Sequence, residues 1–192
     1  MESIVRYLTS SHSPRLIAEK DLGEYMDDTS DPQFYSVFGR AAYRYVVNYY
    51  DQGRESLPEI RRGDKVTIVY RAYNFSSFSN VTIAHLYSTN DSALIEQMRM
   101  EGWTLPDEEN FAFEPVTVTI GSEDLIQGVS AALVGCRLGD EVEIYCTSSV
   151  AYGEKVQVGI LPLDVPVYWH VVVHGVRDEV LDNTNQGEQV NE

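Results

Sequence analysis

The stretch Gly121-Ser122-Glu123-Asp124-Leu125-Ile126-Gln127-Gly128-Val129-Ser130-Ala131-Ala132-Leu133-Val134-Gly135 decides the fold. Leu125, Val129 and Leu133 recur every four residues and Ile126 lies beside them, so a helix over Glu123 to Val134 carries one apolar face. Gly135 stops it. Just upstream, Val116-Thr117-Val118-Thr119-Ile120 is β-branched and reads as a strand; just downstream, Asp140 to Cys146 reads the same way. A lone core helix between strands is the first structural expectation.

Working outward, the strand chemistry accumulates. In Lys65 to Tyr73, Val66, Ile68, Tyr70 and Ala72 alternate with Lys65, Thr67, Val69 and Arg71, so one face is buried and the other is wetter. Phe34 to Tyr50 is rich in aromatic and β-branched residues, Val81 to Ser88 resumes a strand, and Pro166 to His174 is the last. Asp91 or Ser92 caps a short helix running to about Met100, with Leu94, Ile95 and Met98 on one side and Gly102 past its end. At the start, Ile4, Val5 and Leu8 fall at helical spacing, and Ser13-Pro14 breaks the pattern. Gly23 to Asp31 reads as an acidic connector, and everything beyond Arg177 as a polar tail with disorder as the default. Four to six strands with one core helix and no regular β-α alternation give an α+β fold with a mostly antiparallel sheet.

The chain has 192 residues, 43% hydrophobic and 23% charged, which suits one domain with extensions and no obligatory disulfide or metal. Lys plus Arg number 14 against 30 Asp plus Glu, a formal charge of −16. That balance disfavours nucleic acid and anionic membrane surfaces as partners, and Arg61, Arg62 and Lys65 are too scattered among acids to form a basic patch. No apolar run approaches a transmembrane span, and Met1 to Arg6 is not a signal peptide. The setting is therefore the cytoplasm, or the chain is a mature form whose export signal has been removed. Cys136 and Cys146 lack zinc or redox spacing and read as buried thiols, with a bridge between them the less favoured alternative.

Conventional catalytic chemistry is missing. Gly121 and Gly128 are too isolated for a phosphate loop, and Gly-x-Ser-x-Gly is absent. His170 and His174 would share a metal ion on a helix. On the strand that their neighbours dictate they stand about 13 Å apart, so no metal site is expected.

Four segments carry a resemblance. Gly63-Asp64-Lys65-Val66-Thr67-Ile68-Val69-Tyr70 resembles the second strand of FKBP-type peptidyl-prolyl isomerases. Ile120-Gly121 through Gly128, then Ala132 to Asp140, resembles that family's central helix and following turn. Ala151-Tyr152-Gly153-Glu154 with Gly159-Ile160-Leu161-Pro162 resembles its flap, and Val167 to Val176 its closing strand. The resemblance implies an FKBP-like antiparallel sheet wrapped around one short helix over residues 33–177. It also implies an insertion at 91–113, an N-terminal extension with a short helix and acidic linker at 1–32, and an acidic tail at 178–192. It implies rotation about X–Pro bonds in an apolar cup, without cofactor, metal or covalent step, on proline-containing segments or unfolded proteins. The Tyr-rich N-terminal segment, the insertion and the acidic balance resemble envelope proteins of Bacteroidetes-type bacteria that carry such domains. In that setting a lipoprotein-type signal would precede Glu2 and the protein would be tethered in the periplasm or cell envelope.

Carried onto this sequence, the resemblance places Tyr70, Ile126, Tyr152 and Trp169 as the catalytic set. The Ile126 N–H and the Tyr152 phenol are the donors. Tyr87, Leu125, Val129, Ile160 and Leu161 complete the binding walls. Val129 stands where the family has a floor Trp, Ser88 where it has Asp, Val116 where it has Phe, and Gln157 near its flap His. A full Trp truncation in a core costs on the order of 3–5 kcal/mol, part of which would fall on proline binding. The expectation is therefore a folding-assistance or chaperone-like isomerase of weak activity. The alternative is a non-catalytic peptide- or protein-binding module on a degenerate FKBP fold. A cup filled by residues 91–113 or by Phe34 to Phe38 would favour the alternative. A β-rich ligand carrier without a central helix is a third reading.

Overall fold

A computed structural model describes residues 2–25, 31–76, 81–103, 113–154 and 161–181. Among these residues three α-helices, α1 (Glu2–Arg6), α2 (Ser92–Met100) and α3 (Gln127–Leu133), accompany nine strands. The strands are β1 (Ile17–Ala18), β2 (Phe34–Phe38), β3 (Ala42–Val46), β4 (Lys65–Asn74), β5 (Leu86–Thr89), β6 (Val116–Thr119), β7 (Glu141–Cys146), β8 (Val167–Val176) and β9 (Glu179–Val180). They form one sheet in the order β1-β2-β3-β7-β8-β4-β5, with β6 on β4 and β9 on β8. All pairs are antiparallel except β1 with β2. The strand count exceeds the four to six read from sequence. The aromatic run Phe34 to Tyr50 folds back at Gly39 into the hairpin β2–β3, and two-residue edge pairings add β1 and β9. That last pairing extends order past Arg177, where the sequence reads as a tail.

Period-two alternation divides the sheet into two faces. On β8, Val167, Trp169, Val171 and Val173 enter the main core, while Tyr168, His170 and His174 lie on the other side. Val142, Ile144 and Cys146 of β7 and Val66, Ile68 and Ala72 of β4 join the same core. α3 lies over this face, contributing Val129, Ala132 and Leu133, all without solvent exposure. The helix begins four residues later than its pattern predicts. Gly121 to Leu125 form a turn instead, held by Asp124, which accepts the Thr119 N–H at 2.8 Å, and by the buried Ser130, whose hydroxyl accepts the Gly121 N–H at 2.8 Å. At the other end the Arg44 guanidinium, reaching from β3, donates to the carbonyls of Ala132 (2.8 Å) and Val134 (2.7 Å) and satisfies the helix C-terminus. Gly128 faces the sheet. A Cβ there would stand 2.5 Å from Cys146 Sγ and 2.9 Å from Val150 Cγ2. Both cysteines are free and buried, and burial pushes the thiols up to about 11 for Cys136 and about 12 for Cys146. They are small apolar fillers.

The outer face carries a second core of Tyr35, Tyr43, Tyr45, Phe75 and Tyr145, closed by Ile4, Leu8 and Leu16 from the N-terminal segment. The N-terminal segment thus packs onto the sheet through Ile4, Leu8 and Leu16. The predicted helix is present as α1 continued by a wider turn, Tyr7–Ser11. His12 fixes this segment. Its Nδ1 lies 2.5 Å from the Pro14 carbonyl and its Nε2 lies 2.7 Å from Glu143 Oε2 on β7. Two acceptors face two ring nitrogens, and only the imidazolium can donate to both. Burial alone would lower the His12 pKa, but the Glu143 and Pro14 hydrogen bonds outweigh it and hold the pKa above the ordinary value. Burial would likewise raise Glu143, but His12 and the Tyr145 hydroxyl hold it below the carboxylate range.

The raised His12 pKa contributes stability that is fully present below the unfolded value of about 6.5 and disappears as pH rises through the folded value. The lowered Glu143 pKa contributes stability present above about 4.3 and lost as pH falls through its folded value. Protection of the amides of residues 2–18, relative to the intrinsic exchange rate at each pH, should therefore be greatest near pH 5–6 and fall on either side. His12→Gln should abolish the alkaline arm and cost about 1.5–3 kcal/mol near pH 5.5, the value of a hydrogen bond to a charged group. Exchange in these residues that does not depend on His12 would contradict the latch.

Candidate functional site

Four aromatic rings converge beside α3. Tyr70 from β4 and Trp169 from β8 stack with centroids 4.6 Å apart and planes at 19°. The Trp169 indole N–H donates to the Tyr87 hydroxyl at 2.8 Å, and that hydroxyl donates to Tyr152 at 3.3 Å. The rings of Tyr87 and Tyr152 meet edge to face at 5.9 Å. Each placement follows from local structure. Trp169 and Tyr70 sit at core-facing positions of neighbouring antiparallel strands, two residues out of register (Tyr70 opposite Val171, Ala72 opposite Trp169), so they are diagonal neighbours on one face and their rings overlap. Tyr87 is on β5, beyond β4, and Tyr152 on the turn after Ser148–Val150.

Leu125, Val129 and Leu161 belong to the same core as Tyr87 and Trp169, and Tyr70, Ile126 and Tyr152 pack against it partly exposed. Every described member of the sequence-derived set thus lies in or against the main core. Ile160, with Gln157, lies outside the described residues. Exposure separates the set into two groups. Val129 is 0% exposed, Tyr87 3% and Trp169 5%, so these support the site from below. Tyr70, Ile126 and Tyr152 are the members a ligand could touch. Val129 in particular offers no floor surface. Burial pushes the phenols of Tyr87 and Tyr152 up, Tyr87 strongly, so both hydroxyls are neutral at physiological pH and act as hydrogen-bond groups rather than acids.

Ile126 precedes α3; its carbonyl accepts the Ser130 N–H, and its own N–H is one of the helix's open N-terminal donors, with no acceptor among the described residues. A groove of about 950 Å³ runs past Phe38, Ile120, Leu125, Gln127, Ala131 and Ala151; among the described residues of the set, Leu125 alone lines it. The described part of the insertion does not fill the site. Leu94, Ile95 and Met98 of α2 pack with Leu86 in a separate cluster. α2 is capped by Asp91, which accepts from the Ala93 and Leu94 N–H groups and pairs with Arg71.

Sequence reasoning missed the residues that fix Tyr70. Asn90, 1% exposed, accepts the Tyr70 N–H through Oδ1 at 2.6 Å and donates through Nδ2 to the Ile68 carbonyl at 2.9 Å. Thr89 Oγ1 donates to the Tyr70 carbonyl at 2.6 Å. Ser88, where the family has Asp, lies 3.0 Å from the Tyr70 hydroxyl. Thr89 and Asn90 stand where β5 gives way to the α2 cap, a point at which strand backbone pairing ends and side chains must replace it. A polar pair interrupting an apolar strand just before a helix cap was the available signal.

Residues 91–174 match the family model for FKBP-type peptidyl-prolyl cis-trans isomerase. Among solved structures, the N-terminal domain of FKBP42 from Arabidopsis thaliana is similar at 14% identity with a TM-score of 0.53, covering 79% of this chain and 97% of that one. The structure of the three FKBP domains of wheat FKBP73 is similar at 13% identity with a TM-score of 0.51, covering 75% of this chain and 50% of that one. At these identities the structural likeness establishes the fold. No curated protein matches. The sheet, the single helix laid across it and the family match together define an FKBP-type domain. The fold is thus FKBP-like, and residues 91–174 are similar to the FKBP-type peptidyl-prolyl isomerase family.

Asn90→Ala would leave the buried Tyr70 N–H and Ile68 carbonyl short of partners. We expect a loss of about 2–3 kcal/mol in chemical denaturation, together with displaced Tyr70 ring resonances. A neutral substitution would show that Tyr70 is held by packing alone.

Proposed function

We propose that this chain is a peptidyl-prolyl cis-trans isomerase domain of weak activity, which assists folding by engaging proline-containing segments. The carrying observation is the group of four rings, with Trp169, Tyr87 and Tyr152 joined by hydrogen bonds and Tyr70 stacked on Trp169, in the core against which Ile126 packs. Rotation about an X–Pro amide is slow because conjugation holds it planar. A site accelerates it by binding the twisted amide better than the planar one. That demands apolar walls and one or two neutral donors, which Tyr70, Ile126 and Tyr152 can supply from their partly exposed positions. No acid, base or nucleophile is required. Weak activity follows from the floor, because Val129 is fully buried and presents no aromatic plate to a proline ring.

The second reading is a binding module without turnover. The near-complete burial of Tyr87 and Trp169 favours it, since two of the site's aromatic faces are spent on the core. The envelope setting belongs to the same proposal. No helix among the described residues is long and apolar enough to cross a membrane, which is neutral towards a lipid tether.

Exchange NMR on Xaa-Pro peptides tests the reading. We expect slow but measurable acceleration of cis–trans exchange, with shift changes at Tyr70, Ile126 and Tyr152. Binding without acceleration selects the second reading, and neither binding nor turnover would overturn both. Efficient turnover would refute the inference drawn from Val129.

A further inference from the structure

We propose that Tyr87 is a positioning residue that holds the Tyr152 hydroxyl with its proton turned away from the core, so that Tyr152 donates to a carbonyl oxygen of a bound peptide. This rests on the functional reading above and adds to it a residue that acts through Tyr152 rather than as a wall. The polarity is fixed from the buried end. An indole N–H can only donate, so at 2.8 Å the Tyr87 oxygen is the acceptor for Trp169. Tyr87 is 3% exposed, and a buried hydroxyl proton without an acceptor is costly. The remaining acceptor within reach among the described residues is Tyr152, at 3.3 Å. Tyr87 therefore donates outward. Once the Tyr152 oxygen accepts that bond, its own proton points elsewhere, and Tyr152 is the one member of the relay that is partly exposed.

A phenylalanine at position 87 would leave the Tyr152 hydroxyl free to rotate and to present a lone pair. With Tyr87 in place the group is biased to donate, and the ligand it selects is one that offers an acceptor. The carbonyl of an Xaa-Pro amide fits, since that amide has no N–H of its own. Trp169 has the same kind of role one step further back. Its ring stacks on Tyr70 while its N–H sets the direction of the relay, so the two wall positions are coupled to the donor.

The test uses the full chain with 13Cζ-labelled tyrosine. In Tyr87→Phe the Tyr152 Cζ resonance should move, and it should also move in Trp169→Phe, while Tyr145 on the far face stays still. For an Xaa-Pro peptide, kcat/KM should fall roughly two- to tenfold in Tyr87→Phe, the span that one uncharged hydrogen bond commands. Tyr87→Phe added to Tyr152→Phe should cause no further loss. An unmoved Tyr152 resonance, or losses that simply add, would overturn the proposal. A wild-type chain that neither binds nor turns over any Xaa-Pro peptide would overturn the functional reading and the positioning role with it. A moved Tyr152 resonance in that case still identifies the relay, so the two failures are distinguishable.

Discussion

The closeness of α3 to the sheet is the constraint on which the rest depends. At Gly128 the helix approaches Cys146 and Val150 so tightly that a methyl group has no room. A glycine costs a helix about 1 kcal/mol relative to alanine, and here that cost is offset by burial of Val129, Ala132 and Leu133 against the strands. The approach sets the height of Ile126 above the sheet. It thereby sets the position of the open N–H relative to the rings that rise from β4, β5 and β8. Arg44 and Ser130 then pin the two ends of the helix to β3 and to the preceding turn.

The sheet serves two cores at once. Its inner face supports the ring group and α3. Its outer face is tyrosine-rich and would be wet without cover, and residues 2–18 provide that cover. The strands link the faces directly. Tyr145 and Tyr168 stack on the outer side at 4.8 Å, while their neighbours Ile144 and Trp169 pack on the inner side. The His12–Glu143 pair thus stabilises strands that also shape the site, from the opposite surface.

Much of this was legible in the sequence because periodicity is a strong signal. The alternation in Lys65 to Tyr73 places Val66, Ile68, Tyr70 and Ala72 on one face, and the four-residue spacing of Leu125, Val129 and Leu133 identifies the helix that covers them. Other features were not legible. The helix start shifted because Asp124 and Ser122 bind backbone locally and favour a turn, which apolar spacing does not report. The docking of Ile4 and Leu8 depends on strands far away in sequence. Asn90 looks like an ordinary loop residue until the strand that it completes is known. Val129 reads as a cup floor by resemblance, yet its complete burial makes it part of the helix–sheet seam.

The most direct test is the unfolding free energy of Gly128→Ala, followed by the emission of the buried Trp169 in a Trp103→Phe background. In an unconstrained helix the substitution would stabilise by about 1 kcal/mol. A methyl forced against Cys146 and Val150 should instead destabilise by about 1–3 kcal/mol and disturb the Trp169 emission. A stabilised variant with unchanged emission would contradict the close seating of the helix and, with it, the assembly of the site.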